Sequence, residues 1–238
     1  MTTSRCAPCS TPLVSQRSPS RGRVGRLSRC SSFAPCVDDP AGSRRSRLWP
    51  VLPDTSGRVR EVSAPLRNIE CKASDPDPSG SLAVCRTLGA KDHGEIRQRD
   101  TYFTVPRGGL KLREEHPGRP HLIQFERASK PQQRESRYRI AEVDAAEVLR
   151  AALTAAIGTT VVVCKTRRLF LWRQVRIHLD TVERLGNFIE IEAVAPPGSD
   201  LAEEYALVQT LRERLGITDE RLVAHGYAEQ LRALGASA

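Results

Sequence analysis

The chain has 238 residues, with 37 Lys or Arg against 28 Asp or Glu. That length suits one domain with a sizeable core and some chain left over. The formal charge of +9 points first to nucleic acid, but residues 1–60 hold eleven Arg and three Asp, whereas residues 61–238 hold twenty-six basic against twenty-five acidic residues. The part expected to fold is close to neutral, which argues against a nucleic-acid partner.

Residues 1–60 are rich in Ser, Arg, Pro and Cys and lack a helical or strand period. Such a composition buries too little apolar area to offset chain entropy, so this leader is read as disordered. It contains no apolar run long enough for a signal peptide or a membrane span. Two readings stay open: an organelle transit peptide, or an upstream extension that the working protein does not need. The localisation expected is cytoplasmic, with organelle targeting left open. Deleting residues 1–60 is expected to leave folding and activity intact, checked by comparing the melting curves and turnover of the full chain and residues 61–238. Four of the seven cysteines fall in this leader, and none is accompanied there by His. A structural zinc site is therefore not expected. Cys71, Cys85 and Cys164 read as small core hydrophobes in a reducing compartment.

From residue 67 the texture changes. "RNIECKA" (67–73) alternates as a strand, and "PSGSLAVCRTLGA" (78–90) reads as a helix closed by Gly89. Four turn-bounded segments read as antiparallel strands: "EIRQRDTYFTV" (95–105), "LKLREE" (110–115), "HLIQFERAS" (121–129) and "SRYRIAEV" (136–143). "DAAEVLRAALTAAIG" (144–158) is predicted to be a helix capped by Asp144 and stopped by Gly158. Three more strands follow: "TVVVCKTRRLFLW", "QVRIHLDTV" and "NFIEIEAV". Two helical stretches, 199–215 and 219–234, are predicted to end the chain. About eight antiparallel strands at short spacing imply an α+β fold dominated by a closed or nearly closed β barrel.

The charges on these strands recur at period two. Glu70 shares a face with Asn68 and Lys72; Lys111 with Arg113; Lys165 with Arg167; Arg176 with His178 and Asp180; Glu190 with Glu192. One wet face of an ordinary sheet would also alternate. Here, however, the polar sides are almost purely ionisable, and most strands carry one sign. A barrel lined this way needs a polyanion for its lysines and arginines and a divalent cation for its glutamates. Carboxylates suit Mg²⁺ or Mn²⁺, which commonly bridge to substrate phosphates. Together these describe a metal-bound polyphosphate.

"NIECK", "DTYF", "LKLR", "KTR", "VRIHLD" and "LGNFIEIE" occur in the order seen in the CYTH superfamily, the triphosphate tunnel metalloenzymes. The chain resembles that family over roughly residues 66–232, and a CYTH domain is expected over 66–236. The resemblance implies an eight-stranded antiparallel barrel forming a tunnel, with helices packed outside. It implies Glu70, Asp180, Glu190 and Glu192 as metal ligands for Mg²⁺ or Mn²⁺. It implies Lys72, Lys111, Arg113, Lys165, Arg167 and Arg176 as a triphosphate clamp; where many members place a Lys on the fourth strand, this chain offers either Arg127, which would join the clamp, or Glu126. Lys72 and His178 are the catalytic candidates; His178 could assist proton transfer or serve only as a hydrogen-bonded wall residue. The chain departs from the family's Glu-x-Glu-x-Lys signature at Asn68, which removes one negative charge.

"RNIExKA" with "LIxxER" resembles the class IV adenylate cyclase-like branch, which would convert ATP to cyclic AMP and pyrophosphate. The alternatives are a hydrolase of inorganic, thiamine or nucleoside triphosphate, and a non-catalytic triphosphate- or polyphosphate-binding module. The partner expected is a small-molecule triphosphate, with no nucleic acid, no membrane, and homodimerisation left open. Tyr102, Phe103, Phe125 and Tyr138 are read as core or binding-site residues alike. His116 and His121, flanking a Pro-Gly turn, are read as solvated; His225 and Tyr227 are read as packing the last helix on the barrel.

Overall fold

The structure, a computed structural model, describes residues 64–128 and 132–236. The leader therefore lies outside the described residues, as do the expectations placed on it. Eight strands run β1 (Leu66–Ser74), β2 (Lys91–Phe103), β3 (Gly109–His116), β4 (His121–Arg127), β5 (Arg134–Glu142), β6 (Thr159–Trp172), β7 (Val175–Val182) and β8 (Gly186–Ala195). They close antiparallel in the order β1-β5-β4-β3-β2-β6-β7-β8. Closure leaves no unpaired sheet edge. Four helices decorate the barrel: α1 (Pro78–Thr87), α2 (Ala146–Ile157), α3 (Ala202–Arg214) and α4 (Tyr227–Ala236). No described helix is long and apolar enough to cross a membrane.

The pleat decides what faces where. On β1, β7 and β8 the apolar residues Ile69, Cys71, Ile177, Ile189 and Ile191 point outward, and all are buried. They are covered by α3, through Leu207, Val208 and Leu211, and by α1, through Cys85. The charged residues of the same strands point into the bore. The barrel is thus apolar outside and ionic inside over this sector. Truncating a fully buried residue such as Ile191 to Ala would cost about 2–5 kcal/mol, the usual range for a large core deletion.

α1 starts as the sequence implies. Asp77 accepts a hydrogen bond from Gly80 N at 3.0 Å, Pro78 occupies the first turn, and Gly89 leaves the helix at φ 68°. Cys71 and Cys85 are buried free thiols, and Cys164 is buried too.

Three local expectations are corrected. Asp144 does not cap α2: the helix begins one residue later, Ala145 holds the cap position, and no side chain caps it. β2 begins at Lys91 rather than Glu95, reaching back across a register shift between Asp92 and Glu95 that a positive-φ Gly94 accommodates. The stretch 219–234 is not one helix. A short 3₁₀ turn spans Asp219–Arg221, and the chain then runs back to β1, where Leu222 bridges Ala73 and Val223 N donates to Lys72 O at 2.9 Å. Backbone pairing to β1 takes precedence over helix here, and α4 starts afresh at Tyr227.

That restart places α4 over one end of the bore. Tyr227, Ala228 and Leu231 pack on Val163, Val182 and Phe188, which share the inward faces of their strands with Lys165, Asp180 and Glu190.

Candidate functional site

Cross-strand register brings the charged positions together. Glu70 sits opposite Glu192 and Lys72 opposite Glu190 between β1 and β8; Arg176 faces Glu192 and His178 faces Glu190 between β7 and β8. Arg167 faces Asp180 between β6 and β7, and Asp100 faces Arg113 between β2 and β3. All inward-facing members of this set but Arg176 and Glu192 are buried, and those two are half-buried.

The result is a cavity along the bore. Its wall carries six basic residues (Lys72, Lys111, Arg113, Arg127, Lys165, Arg167) and three glutamates (Glu70, Glu190, Glu192). Asn68, Ser136, Tyr102, Phe125, Tyr138 and Tyr227 complete much of the wall. Tyr102 and Phe125 meet edge to face, with ring centroids 6.4 Å apart. Gly226 lies against the Arg127 guanidinium, where any Cβ would collide with Nη2.

The acids divide by how firmly they are held. Asp180 receives Arg167 through two bonds of 2.6 Å and the Tyr227 hydroxyl at 2.9 Å. Asp100 receives Arg113 through two bonds of 2.7 Å and Lys111 Nζ at 3.0 Å. Glu70 accepts from Arg134 at 2.9 Å and from Arg127 at 3.1 Å. Glu190 accepts from Lys72 and Arg167, each at 2.6 Å. Glu192 is held more loosely, 3.8 Å from Arg176 and 3.9 Å from His178. Such fork pairs fix the guanidinium planes before any ligand arrives.

Burial alone would raise the pKa of Asp100, yet Arg113 and then Lys111 outweigh it and hold the carboxyl well below the usual range. Glu190 behaves alike: Lys72, then His178 and Arg167, outweigh burial and hold its carboxyl well below the usual range. The lysines go the other way. Burial pushes Lys72 down, with Glu190 opposing. Burial and then Arg167 push Lys165 far below its ordinary value. Burial and then Arg113 bring Lys111 down to about 8, despite Asp100. Burial and then Arg167 lower His178, so its ring is neutral at pH 7. Burial, Asp180 and Glu190 raise the Tyr227 phenol far above its ordinary range, so it stays protonated and donates.

The Lys111 value gives a pH expectation. Lys111 is charged below about 8 and loses its proton above it, so the cavity wall loses one positive charge as pH rises. Tripolyphosphate affinity should fall between pH 7 and 9.5, and Lys111→Arg should reduce the steepness of that fall. A wild-type affinity independent of pH over this range would contradict it.

Every residue expected at the site lies in or beside the bore. Lys72, Lys111, Arg113, Arg127, Lys165 and Arg167 meet in the cavity with Glu70, Glu190 and Glu192. Arg176 and His178 line an adjoining cavity beyond Arg113 and Arg167, which Glu192 also touches. Asp180 is enclosed by Arg167 and Tyr227. Of the metal-type ligands, His178, Glu190 and Glu192 offer atoms within 4.8 Å of one another. The wall also holds a buried unpartnered acceptor, Asn68 Oδ1. Two carboxylates and an unpartnered carbonyl oxygen suit a hard divalent cation such as Mg²⁺ or Mn²⁺.

Three contributors escape the sequence reading. Asp100 anchors Arg113 and Lys111, and its inward parity with Gln98 and Tyr102 was the available signal. Arg134 binds Glu70, and its parity with Ser136 was likewise visible. Tyr227 enters the cavity instead of merely packing α4, with Lys72 Nζ 3.9 Å from its ring centroid. No local pattern announces this, because it depends on the break before α4. Two histidine expectations are corrected: His121 is buried because it opens β4 on the inward face opposite Arg113, and His225 is exposed beside Glu229 rather than packed on the barrel.

Residues 66–227 match the model of the CYTH domain. No curated protein matches the chain. Among solved structures, the PH1012 protein of Pyrococcus horikoshii OT3 is similar at 25% identity and TM-score 0.62, over 68% of this chain and 98% of that one. A protein of Vibrio parahaemolyticus put forward as an adenylate cyclase is similar at 19% identity and TM-score 0.56, over 69% and 97%. HpAC1 of Hippeastrum, put forward as an adenylyl cyclase and described as having a dominant triphosphatase activity, is similar at 14% identity and TM-score 0.51, over 71% and 96%.

Proposed function

The chain belongs to the CYTH domain family, and from that premise we propose that it is a divalent-metal-dependent enzyme acting on a triphosphate bound in its barrel. The observation that carries the proposal is the charge imbalance of the cavity: six basic residues face three glutamates. Three of those basic residues are lysines pushed below their ordinary pKa. A cluster of buried cations in this state is relieved by a polyanion, whose oxygens replace lost water and restore the lysine protons. Phosphate oxygens meet fork-shaped donors at Arg113 and Arg167, which Asp100 and Asp180 already hold in place. A metal held by Glu190 and Glu192 would neutralise developing charge on the phosphates.

The reaction we favour is the cyclase-like one, in which the ribose 3′-hydroxyl of ATP attacks the α-phosphorus and pyrophosphate leaves. Its proton passes to a base or to solvent. The aromatic wall of Tyr102, Phe125 and Tyr138 supports an organic rather than a bare triphosphate. Hydrolysis by water is the second reading, since metal and clamp serve both nucleophiles equally.

The deciding experiment incubates the purified chain with ATP, thiamine triphosphate or tripolyphosphate, each with Mg²⁺ or Mn²⁺, and reads cyclic AMP and phosphate together. Cyclic AMP from ATP supports the favoured reaction. Phosphate without cyclic AMP establishes the hydrolase. Tripolyphosphate binding with no turnover of any substrate would leave only a binding module.

A further inference from the structure

We propose that His178 Nδ1 is a nitrogen ligand in the metal site of Glu190 and Glu192, and that it makes this site prefer a first-row transition-metal dication to Mg²⁺. The inference rests on the reading of the barrel as a metal-dependent site and names which metal class that site takes.

His178 is 4% exposed, and its Nδ1 has no hydrogen-bond partner. A buried ring nitrogen left unpaired is costly, so such atoms are rare unless something occupies them. Nδ1 faces two carboxylates at long range: it is 3.6 Å from Glu190 Oε2, a contact too long for a well-formed hydrogen bond, and 3.9 Å from Glu192 Oε1. Ligands at about 2.1 Å from a shared ion stand roughly 3–3.5 Å apart, so a small inward shift of the three groups would suffice. Adjacent strands hold the set rigidly, because His178 and Glu190 are register partners on β7 and β8. The oxygens are not equally engaged. Glu190 gives Oε1 to Lys72 and Oε2 to Arg167, whereas Glu192 Oε1 lies 3.9 Å from His178 Nδ1.

The donor set then decides the metal. Carboxylates and carbonyls alone suit Mg²⁺, which prefers oxygen and keeps several waters. An imidazole nitrogen favours Mn²⁺, Fe²⁺, Co²⁺, Ni²⁺ or Zn²⁺, with affinity rising along the series toward copper. His178 thereby becomes a ligand rather than a proton carrier, and Asp180, locked by Arg167 and Tyr227, becomes an anchor for the clamp.

The test titrates the full chain with Co²⁺, Mn²⁺ and Mg²⁺ in the absence of any phosphate. Calorimetric competition should show Co²⁺ binding at least tenfold more tightly than Mg²⁺, and pulsed electron paramagnetic resonance of bound Mn²⁺ should show coupling to a histidine nitrogen. His178→Asn should abolish that coupling and reduce the Co²⁺ preference at least tenfold, with its melting curve recorded alongside. Wild-type Mn²⁺ without nitrogen coupling overturns the proposal, whatever the variant does. An unchanged coupling and preference in a folded His178→Asn protein overturns it too. Turnover is measured separately. Nitrogen coupling without turnover sinks only the functional reading, and turnover without nitrogen coupling sinks only this inference.

Discussion

Glu192→Gln should abolish most activity while leaving the fold nearly unchanged. Glu192 is the least engaged acid of the bore: its partners Arg176 and His178 lie at 3.8 and 3.9 Å. Replacing it with an isosteric amide therefore breaks no short ion pair and leaves no cation stranded against a fully buried neighbour. Stability should change by no more than about 1 kcal/mol, typical of a loosely held and partly exposed pair. Activity answers to a different quantity. An amide oxygen carries no net charge, so the proposed metal site loses one of its two carboxylates. A metal supplies several kcal/mol of transition-state charge stabilisation, and losing about 3 kcal/mol of it lowers turnover about a hundredfold. Steady-state kinetics at saturating Mn²⁺ and a thermal melt of the same preparation check both halves. Equal turnover with an equal melting temperature would remove Glu192 from the metal site.

Arg167→Met should do the opposite, damaging the fold as well as the activity. Arg167 bridges Asp180 and Glu190 through three bonds of 2.6 Å, and both acids are buried. Methionine keeps much of the volume but leaves the two carboxylates without the cation that bridges them. Breaking a buried pair by removing one partner costs about 3–5 kcal/mol, and the lower end applies here, because Lys72 still bonds Glu190 and Tyr227 still bonds Asp180. For a domain of ordinary marginal stability that is a large share of the total. The sign of the pH dependence follows. Asp180 and Glu190 have folded pKa values held below their ordinary ones, with Arg167 among the causes. In the wild type their stabilisation is present above the unfolded carboxylate pKa and is lost as pH falls through the folded one. The variant should lose part of that advantage near neutrality, and its deficit should shrink as acid protonates the stranded carboxylates. Denaturant melts at pH 7 and pH 4 measure this. A deficit that is small, or that grows toward low pH, would show that Arg167 does not hold the acids together.

The contrast between these variants explains what sequence could reveal. Period-two alternation in "VRIHLD" and "FIEIE" identified strands, faces and inward charges, because a pleated strand has a single geometric choice. Asp77 and Gly89 likewise marked the ends of α1 through local hydrogen bonding and backbone freedom. What sequence withheld was pairing. Nothing in "LKLR" says that Arg113 belongs to Asp100 or, in "KTR", that Arg167 serves Asp180 and Glu190 together; those relations arise from closure of eight strands. Asp180 and Glu190 look equivalent as carboxylates in the sequence. In the barrel one is sealed by Arg167 and Tyr227, whereas the other faces an unpaired imidazole nitrogen. The break before α4 was equally hidden, because Val223 leaves helix only to reach the carbonyl of Lys72 across the fold.

That backbone bond gives Lys72 two employers. Its side chain serves the bore, bonding Glu190 and lying over the Tyr227 ring, while its carbonyl holds the returning C-terminal segment. The far end of the polypeptide is therefore mechanically wired to the basic wall of the bore. A fusion or truncation that pulls on residues 222–227 would be felt at Lys72 first, so the placement of an affinity tag is itself a perturbation of the bore.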